Sequence, residues 1–597
     1  MPRFSLSAFG LAVCIVSAPA YGFDALNFDT PGMDEDLRSQ LKSNAALTEA
    51  QADNRSAGAD VLAAALSDYG ILLETLYAAG YYGGTVSIRI DGREAADIAL
   101  LSTPETVTRV DVTVTTGPKF KFGETNVAPV TPETEMPEGF KRGQTARAPL
   151  IGDAADAAIE GWRADGHAKA EIAAQRVTAN HVDHLINVNL RVAPGPELRF
   201  GRLVTVNDSY VRTAALRRIA GLPSGERFDP DELKRVSNRL TRTGAFSSVT
   251  LREAETPNAD GTLDIELTVT DAKPRRFGFG AELSSLEGLT LSTFWLHRNV
   301  AGGAERFRID AEVSDISNSV DGIDASITAR LEVPGAVGPD TDAYFQAAIS
   351  REREPAYDLD SLELAAGLTR RYNEDLTAEI GIGYQFSKTK DDLGTREFHL
   401  VTLPLSLTYD KRDNDLDPRN GYYISADATP FADVAGDGGS GLRLYGDLRG
   451  YYGLGEADRT VLAGRLQIGS VIGPSITETQ PDFLFYSGGA GTVRGQPYQS
   501  LDIDLGGGIS SGGLSFIGFS GEIRQDVGKS FGVVAFADIG YVGEDQVPGS
   551  NGDWHAGAGL GVRYQTGLGP LRFDVAAPVG GDTGKGVQIY LGIGQSF

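Results

Sequence analysis

The feature that most constrains this chain is a run of strict alternation that begins near Pro274 and lasts to Phe597. In AERFRIDAEVS, Phe307, Ile309, Ala311 and Val313 fall on one face of an extended strand, and Arg306, Arg308, Asp310 and Glu312 on the other. One apolar face and one heavily charged face suit a wall between lipid and a wet lumen. A soluble sandwich alternates too, but the number and length of the strands favour a closed barrel. Sixteen strands are predicted, from 275–286 at the start to 585–597 at the end. The count is even, as in single-chain bacterial barrels, and most strands reach the roughly 9–11 residues a tilted strand needs to cross a bilayer. With the first strand rising from the periplasm, loops after odd-numbered strands face outside. The longest gap, 474–510, is then extracellular.

The N-terminal part repeats itself. TTGPKFKFGE (115–124) returns as APGPELRFGR (193–202), which sets Gly117 and Gly195 78 residues apart, and TDAKPRRFGFG (270–280) is a weaker echo. A period of this size marks a string of similar structural units. In each period a helical stretch ends at a glycine (Gly80, Gly166 or Gly244), the residue suited to a left-handed helix end. Each period closes on an alternating strand: VTRVDVTVTT, LINVNLRVA and LDIELTVTD. The unit reads as strand, helix, helix, strand, strand. The expected division is a leader at 1–22, repeats at 23–116, 117–195 and 196–273, and a barrel at 274–597.

MPRFSLSAFGLAVCIVSAPAYG has one basic residue, an apolar stretch and a small-residue end, the pattern of a secretory signal peptide. Cys14, the single cysteine, lies within it, so the exported chain must draw its stability from a large core or a closed sheet rather than from disulfides. No other stretch approaches the roughly 18–20 consecutive apolar residues of a membrane helix, so membrane entry is expected through a barrel. A formal net charge of −27 argues against nucleic acid as a partner. The GxG stretches sit in strands and loops rather than at a strand-to-helix turn, which excludes a dinucleotide site. The six histidines offer no Ser-His-Asp pattern. Asp413, Asp415 and Asp417 alternate like a calcium loop, but Pro418 stands where that loop needs glycine. No catalytic residue, metal or cofactor is expected.

Residues 483–500, FLFYSGGAGTVRGQPYQS, set one arginine, Arg494, among glycines in the long extracellular gap. In FGVVAFADIGYV, Phe536, Asp538 and Gly540 share a face, which should be lumenal because a carboxylate toward lipid is costly. The preceding strand adds Glu522 and Arg524. On spacing alone, a solvated loop arginine and an arginine folded back onto lumenal carboxylates both remain open.

SGGAGTVRG, followed by GEIR and FADIG, resembles the outer-membrane assembly and two-partner secretion superfamily, in which POTRA repeats precede a sixteen-stranded barrel. The resemblance implies that Val493, Arg494 and Gly495, on the sixth extracellular loop, enter the lumen and meet Phe536, Asp538 and Gly540 beside Glu522. The match departs at Gln496, where an aromatic is usual; Tyr498 follows two residues on. YDKRDNDLDPRNGYYIS (409–425) resembles the family's periplasmic hairpin, and GVRYQTGLGPLRFDVAAPV its penultimate one. The last strand, VQIYLGIGQSF, resembles the aromatic-ended signal by which barrels are recognised for insertion. Gly592 and Gly594 in that strand, with Gly278 and Gly280 in the first, weaken pairing. The seam between first and last strands, down to Phe597, is therefore expected to open. By family, the expected work is non-enzymatic insertion of barrel proteins such as autotransporters into the outer membrane, with β-augmentation on periplasmic POTRA edges. Three repeats in 597 residues resemble the TamA branch, which implies a TamB-like partner anchored in the inner membrane. The alternatives are polypeptide export through the lumen and a porin-like channel.

Overall fold

The computed structural model describes residues 25–597 apart from 54, 56, 100–102, 285–287, 317–321, 529 and 568. The expected signal peptide, with Cys14, lies outside the described residues. Two compact units result: the chain up to Gly201 with 224–232 and 256–263, and residues 202–223, 233–255 and 264–597.

The first unit carries two sheets. In one, the order is Ala25–Asp29, Arg109–Thr115, Thr85–Ile90 and Arg93–Glu94, with the first two strands parallel. Helix Gly58–Ala78 is long and apolar enough by composition to cross a membrane. Its Val61, Leu62, Ala65, Leu72 and Leu76 instead pack against Val110, Val112 and Val114 of the sheet. Asp68, buried on that helix, accepts the Ala46 and Leu47 N–H groups at 2.6 and 3.1 Å and so caps helix Ala46–Ala52. Burial pushes its carboxyl above the usual range, and the two N–H groups pull it back.

In the other sheet, Leu185–Ala193 lies between Lys121–Ala128 (parallel) and Glu171–Asn180 (antiparallel). A single helix, Pro149–Ala164, covers it. The second repeat therefore departs from the expected two-helix unit. Residues 129–148 are mostly turns, because Pro129, Pro132 and Pro137 remove backbone donors and push the residues before them out of helical geometry. The edge strand Glu171–Asn180 is exposed along nearly its whole length. The helix-ending glycines Gly80, Gly166 and Gly244 have φ of 92°, 90° and 67°, the left-handed geometry the sequence called for.

The third sheet orders Arg199–Thr205, Thr262–Asp271 and Phe246–Glu253. Beyond it, seventeen strand segments close into an antiparallel barrel. Two of them, Gly394–Thr402 and Leu405–Asp410, pair with the same neighbours on both sides, Leu376–Asp391 and Gly421–Asp433. They form one wall strand interrupted at Leu403–Pro404, where proline has no N–H for the ladder. The wall thus has sixteen positions. Parity sorts its faces as alternation requires: Phe345 and Ile349 are about half exposed toward lipid, whereas Tyr344, next to Phe345 on the opposite face, is buried.

Within the second unit, helix Pro230–Arg242, from Leu233 onward, is fastened to the periplasmic turn between Asp324–Val333 and Thr341–Glu354. Arg239, buried, donates Nε and Nη2 to the two oxygens of Asp340 at 2.9 and 2.8 Å, a bidentate fork. Arg242 lies 3.6 Å from the same carboxylate, and Arg371 pairs with the adjacent Asp342 at 2.6 Å. The Arg239 hydrogen bond, then the nearby charges, hold Asp340 below the ordinary carboxylate range. A depressed carboxylate stabilises above its unfolded pKa and loses that contribution as pH falls through the folded value. We predict that Asp340→Asn lowers hydrogen-exchange protection of helix Pro230–Arg242 at neutral pH, and that the two proteins converge as pH falls below the ordinary carboxylate range. Equal protection at neutral pH would show the fork to be inert.

Candidate functional site

After wall strand Thr460–Ile472 the chain turns back into the lumen. Leu484, Phe485, Leu501 and Ile503 of this loop pack with Phe398, Leu400, Phe431 and Phe516 of the wall, which sets an apolar cluster in the extracellular half of the barrel. Polar contacts fix its register. Ser387 Oγ donates to Gln480 at 2.7 Å, and Asp482 accepts from Gln385 at 3.2 Å and from Gln480. Burial pushes the Asp482 carboxyl above its usual range.

The loop delivers Arg494 to the wall, where 2% of its side chain is exposed. Its Nε and Nη2 donate to the two oxygens of Asp538 at 2.7 and 2.9 Å, and its backbone N–H donates to Oδ2 at 3.1 Å. Nη1 donates to Glu522 at 2.6 Å, and Asp574 stands 3.6 Å away. The guanidinium carbon lies over the Phe536 ring, 3.6 Å from its centre. Burial alone would lower the arginine's pKa, but Asp538 and Glu522 hold it well above its ordinary value. Of the two readings open from spacing, the structure contains the fold-back.

The flanking residues are small for stated reasons. Gly495 has φ 94°, and a Cβ there would run into the backbone of Ala577. A Cβ on Gly540 would meet Ser487 Oγ and the fully buried Val493. Gln496, the departure from the family pattern, is fully buried. Its amide donates to the carbonyls of Ala556 and Gly580 at 2.8 and 3.0 Å and accepts from Thr583 Oγ1 at 3.0 Å. Hydrogen bonds thus stand where an aromatic would pack, and Tyr498 is more than a third exposed.

Four further residues complete the site. His555 bridges Ser487 of the loop at 2.7 Å and Thr583 at 2.8 Å. Asp574 holds Arg563 at 2.5 Å. Tyr590, on the last strand, accepts the Gly495 N–H at 2.9 Å, a direct tie from loop to seam. Parity along strands Gly552–Thr566 and Gly569–Gly580 marks Arg563 and Asp574 as lumenal charges. The same parity puts His555 on the face of Arg563 and Tyr590 opposite Ile589 and Leu591, but their contacts to the loop are not legible in the sequence.

The first wall strand, Arg275–Ser284, pairs along its whole length with Gly288–His297, but with the last strand, Gln588–Ile593, only through Leu283↔Leu591 and Ser284↔Tyr590. These pairs lie at the extracellular end. Among the described residues, Arg275–Glu282 have no ladder partner on the last-strand side. Gly278 and Gly280 leave room for Phe294 and Ser292 across the first hairpin, and Gly592 pairs with Arg572. The expected strand to Phe597 requires correction: it ends at Ile593. Gly594, at φ 90°, donates to the Pro570 carbonyl, and Phe597 leaves the wall and is buried against Tyr451, Val461 and Ala463 in the lumen. Lumenal partners outcompete pairing in the wall.

POTRA-type repeats, a sixteen-position barrel and a lumenal arginine loop define an outer-membrane protein with periplasmic repeats. Residues 299–597 match the Omp85 superfamily domain, half of the chain, and the chain belongs to that superfamily. It is similar to the outer membrane protein assembly factor BamA of Nitratidesulfovibrio vulgaris, 24% identical over 470 residues, 74% of this chain and 57% of that relative's length. In fold it resembles BamA from Haemophilus ducreyi lacking POTRA domains 1–3, with TM-score 0.61, 17% identity, 79% of this chain and 99% of that one covered. It also resembles CdiB from Acinetobacter baumannii, with TM-score 0.50, 15% identity, and 79% and 90% covered.

Removing the arginine strands the buried carboxylates. We predict that Arg494→Ala costs about 3–5 kcal/mol, read as a lower temperature for loss of the compact, heat-modifiable barrel. Arg494→Lys keeps the charge but loses the fork and falls between. A wild-type melting temperature in Arg494→Ala would contradict the energetic role given to the cluster.

Proposed function

We propose that this protein inserts other β-barrel proteins, autotransporters among them, into the outer membrane, by templating their strands on the free edge of its first wall strand. The observation that carries the reading is the seam, where, among the described residues, two residue pairs join first and last strands while Arg275–Glu282 go unpaired on that side. Backbone groups at bilayer depth must be satisfied, and an unpaired edge recruits a strand. The free stretch lies at the periplasmic end, where a client arriving from the repeats would meet it. Phe277 and Phe279, largely exposed there, offer apolar contact to an incoming hairpin.

In this reading residues 1–22 are a leader, and 23–116, 117–195 and 196–273 are three POTRA repeats that present edges for β-augmentation. The exposed strand Glu171–Asn180 is the strongest candidate edge. It would take either a client strand or a periplasm-spanning partner of the TamB type, which aligns the chain with the TamA branch. Val493, Arg494 and Gly495, with Phe536, Asp538, Gly540 and Glu522, brace the wall beside the seam. The work is assembly, with no covalent step. The apolar cluster in the extracellular half of the lumen weighs against both a porin-like channel and export through the lumen.

The test is a disulfide across the seam, Leu283→Cys with Leu591→Cys, in a Cys14→Ser background. The oxidised barrel should fold normally yet stop inserting clients, and reduction should restore insertion. Undiminished insertion by the locked barrel would transfer the function to the lumen.

A further inference from the structure

Two chains of ion pairs descend from Arg494 to the segment 594–597 that follows the seam strand. In the first, Glu522 takes Arg494 on one oxygen at 2.6 Å and Arg524 Nε on the other at 2.8 Å. Arg524 then donates Nη2 to the Phe597 carbonyl at 3.0 Å, with its guanidinium 5.5 Å from the Phe597 ring centre and 5.6 Å from that of Tyr451. In the second, Asp574 stands 3.6 Å from Arg494 and takes Arg563 at 2.5 Å. Arg563 Nε donates to Gln595 Oε1 at 2.7 Å. The periplasmic turn 411–420 closes both chains from below. Asp417 accepts from Gln595 Nε2 at 2.8 Å, the Leu416 carbonyl accepts the Gln595 N–H at 2.9 Å, and the Pro418 carbonyl accepts Arg524 Nη1 at 3.3 Å.

Every charged member is buried: Arg494, Arg524 and Arg563 face Glu522, Asp538 and Asp574, with Arg572 at the margin, 3.9 Å from Asp574. In such a set no member is independent, because removing one charge leaves its partners uncompensated and forces their side chains to reorient. The segment these chains hold is decisive for the seam. The last strand pairs on its inner side with Gly569–Gly580 but on the seam side through two residues only. Its lumenal anchors therefore set where its periplasmic end lies.

We propose that Arg524 and Arg563 are positioning residues that link the Arg494 loop to the segment 594–597, so that withdrawal of Arg494 releases the segment and frees the periplasmic end of the seam strand. With Arg494 gone, Glu522 and Asp574 each lose a cation, and Arg524 and Arg563 turn fully onto them, away from Phe597 and Gln595. The loop in the lumen and the tail that holds the periplasmic end of the last strand are one coupled latch. The proposal rests on the seam reading above, and its test reads the tail itself rather than client insertion, so the two fail separately.

The experiment is maleimide labelling of Ser596→Cys in the folded, full-length protein in a Cys14→Ser background. Arg494→Gln should raise the labelling rate about tenfold, Arg524→Gln with Arg563→Gln should do the same, and the triple variant should be no faster than the double. Arg494→Lys should restore most of the slow rate. Multiplying effects, or a wild-type rate in Arg494→Gln, would overturn the link. Where a glutamine variant fails to give a heat-modifiable barrel, Glu522→Gln replaces it, with faster labelling expected and an unchanged rate contradicting the proposal.

Discussion

A guanidinium taken out of water is costly unless carboxylates and hydrogen bonds replace its hydration, and Arg494 has both in full. Asp538 receives three of its donors, Glu522 a fourth, and the Phe536 ring lies against the guanidinium carbon. The rest of the barrel's interior is arranged around that requirement. Gly495 and Gly540 are small so the loop can approach, Gln496 and His555 tie its flanks to the wall and to the turn at Thr583, and Tyr590 extends the contact to the last strand. A loop held this firmly stiffens the strands that carry the carboxylates. The part of the wall that the loop reaches through the Tyr590 hydroxyl is left with the shortest ladder.

That part is the seam. A closed barrel hides its edges because each strand is satisfied on both sides. Here the wall keeps long ladders everywhere except between its first and last strands, where the register stops after two pairs and the chain beyond Ile593 turns inward. Rigidity on one side and a short ladder on the other are complementary. A wall that opened anywhere would not survive, and one that opened nowhere would have no free backbone to offer.

Much of this was legible in residue order. Period-two parity assigned Phe536 and Asp538 to the lumen, and the extracellular placement of 474–510 followed from counting strands. What parity cannot show is tertiary capture. The turn at Gly594 depends on Arg524, Arg563 and the 411–420 turn, all distant in sequence, and each ordinary by itself. The missing helix of the second repeat follows from Pro129, Pro132 and Pro137, which the 78-residue period by itself does not weigh. Pro404 likewise marked the break in the eighth wall strand. Gln496 teaches the reverse lesson: a departure from a motif can be absorbed by hydrogen bonds at the same position.

The most direct test of the proposed insertion activity places a photo-crosslinking amino acid at single sites and challenges the protein with a β-barrel protein arrested during insertion as the client. Positions Phe277 and Phe279, exposed on the free edge of the first strand, should crosslink to the client's strand, whereas Glu363 and Asp427, on the lumenal faces of wall strands Tyr357–Arg371 and Gly421–Asp433, should remain silent. Crosslinks confined to Glu363 and Asp427, with none from the first strand, would mean that clients pass through the lumen and that the seam is not the working edge.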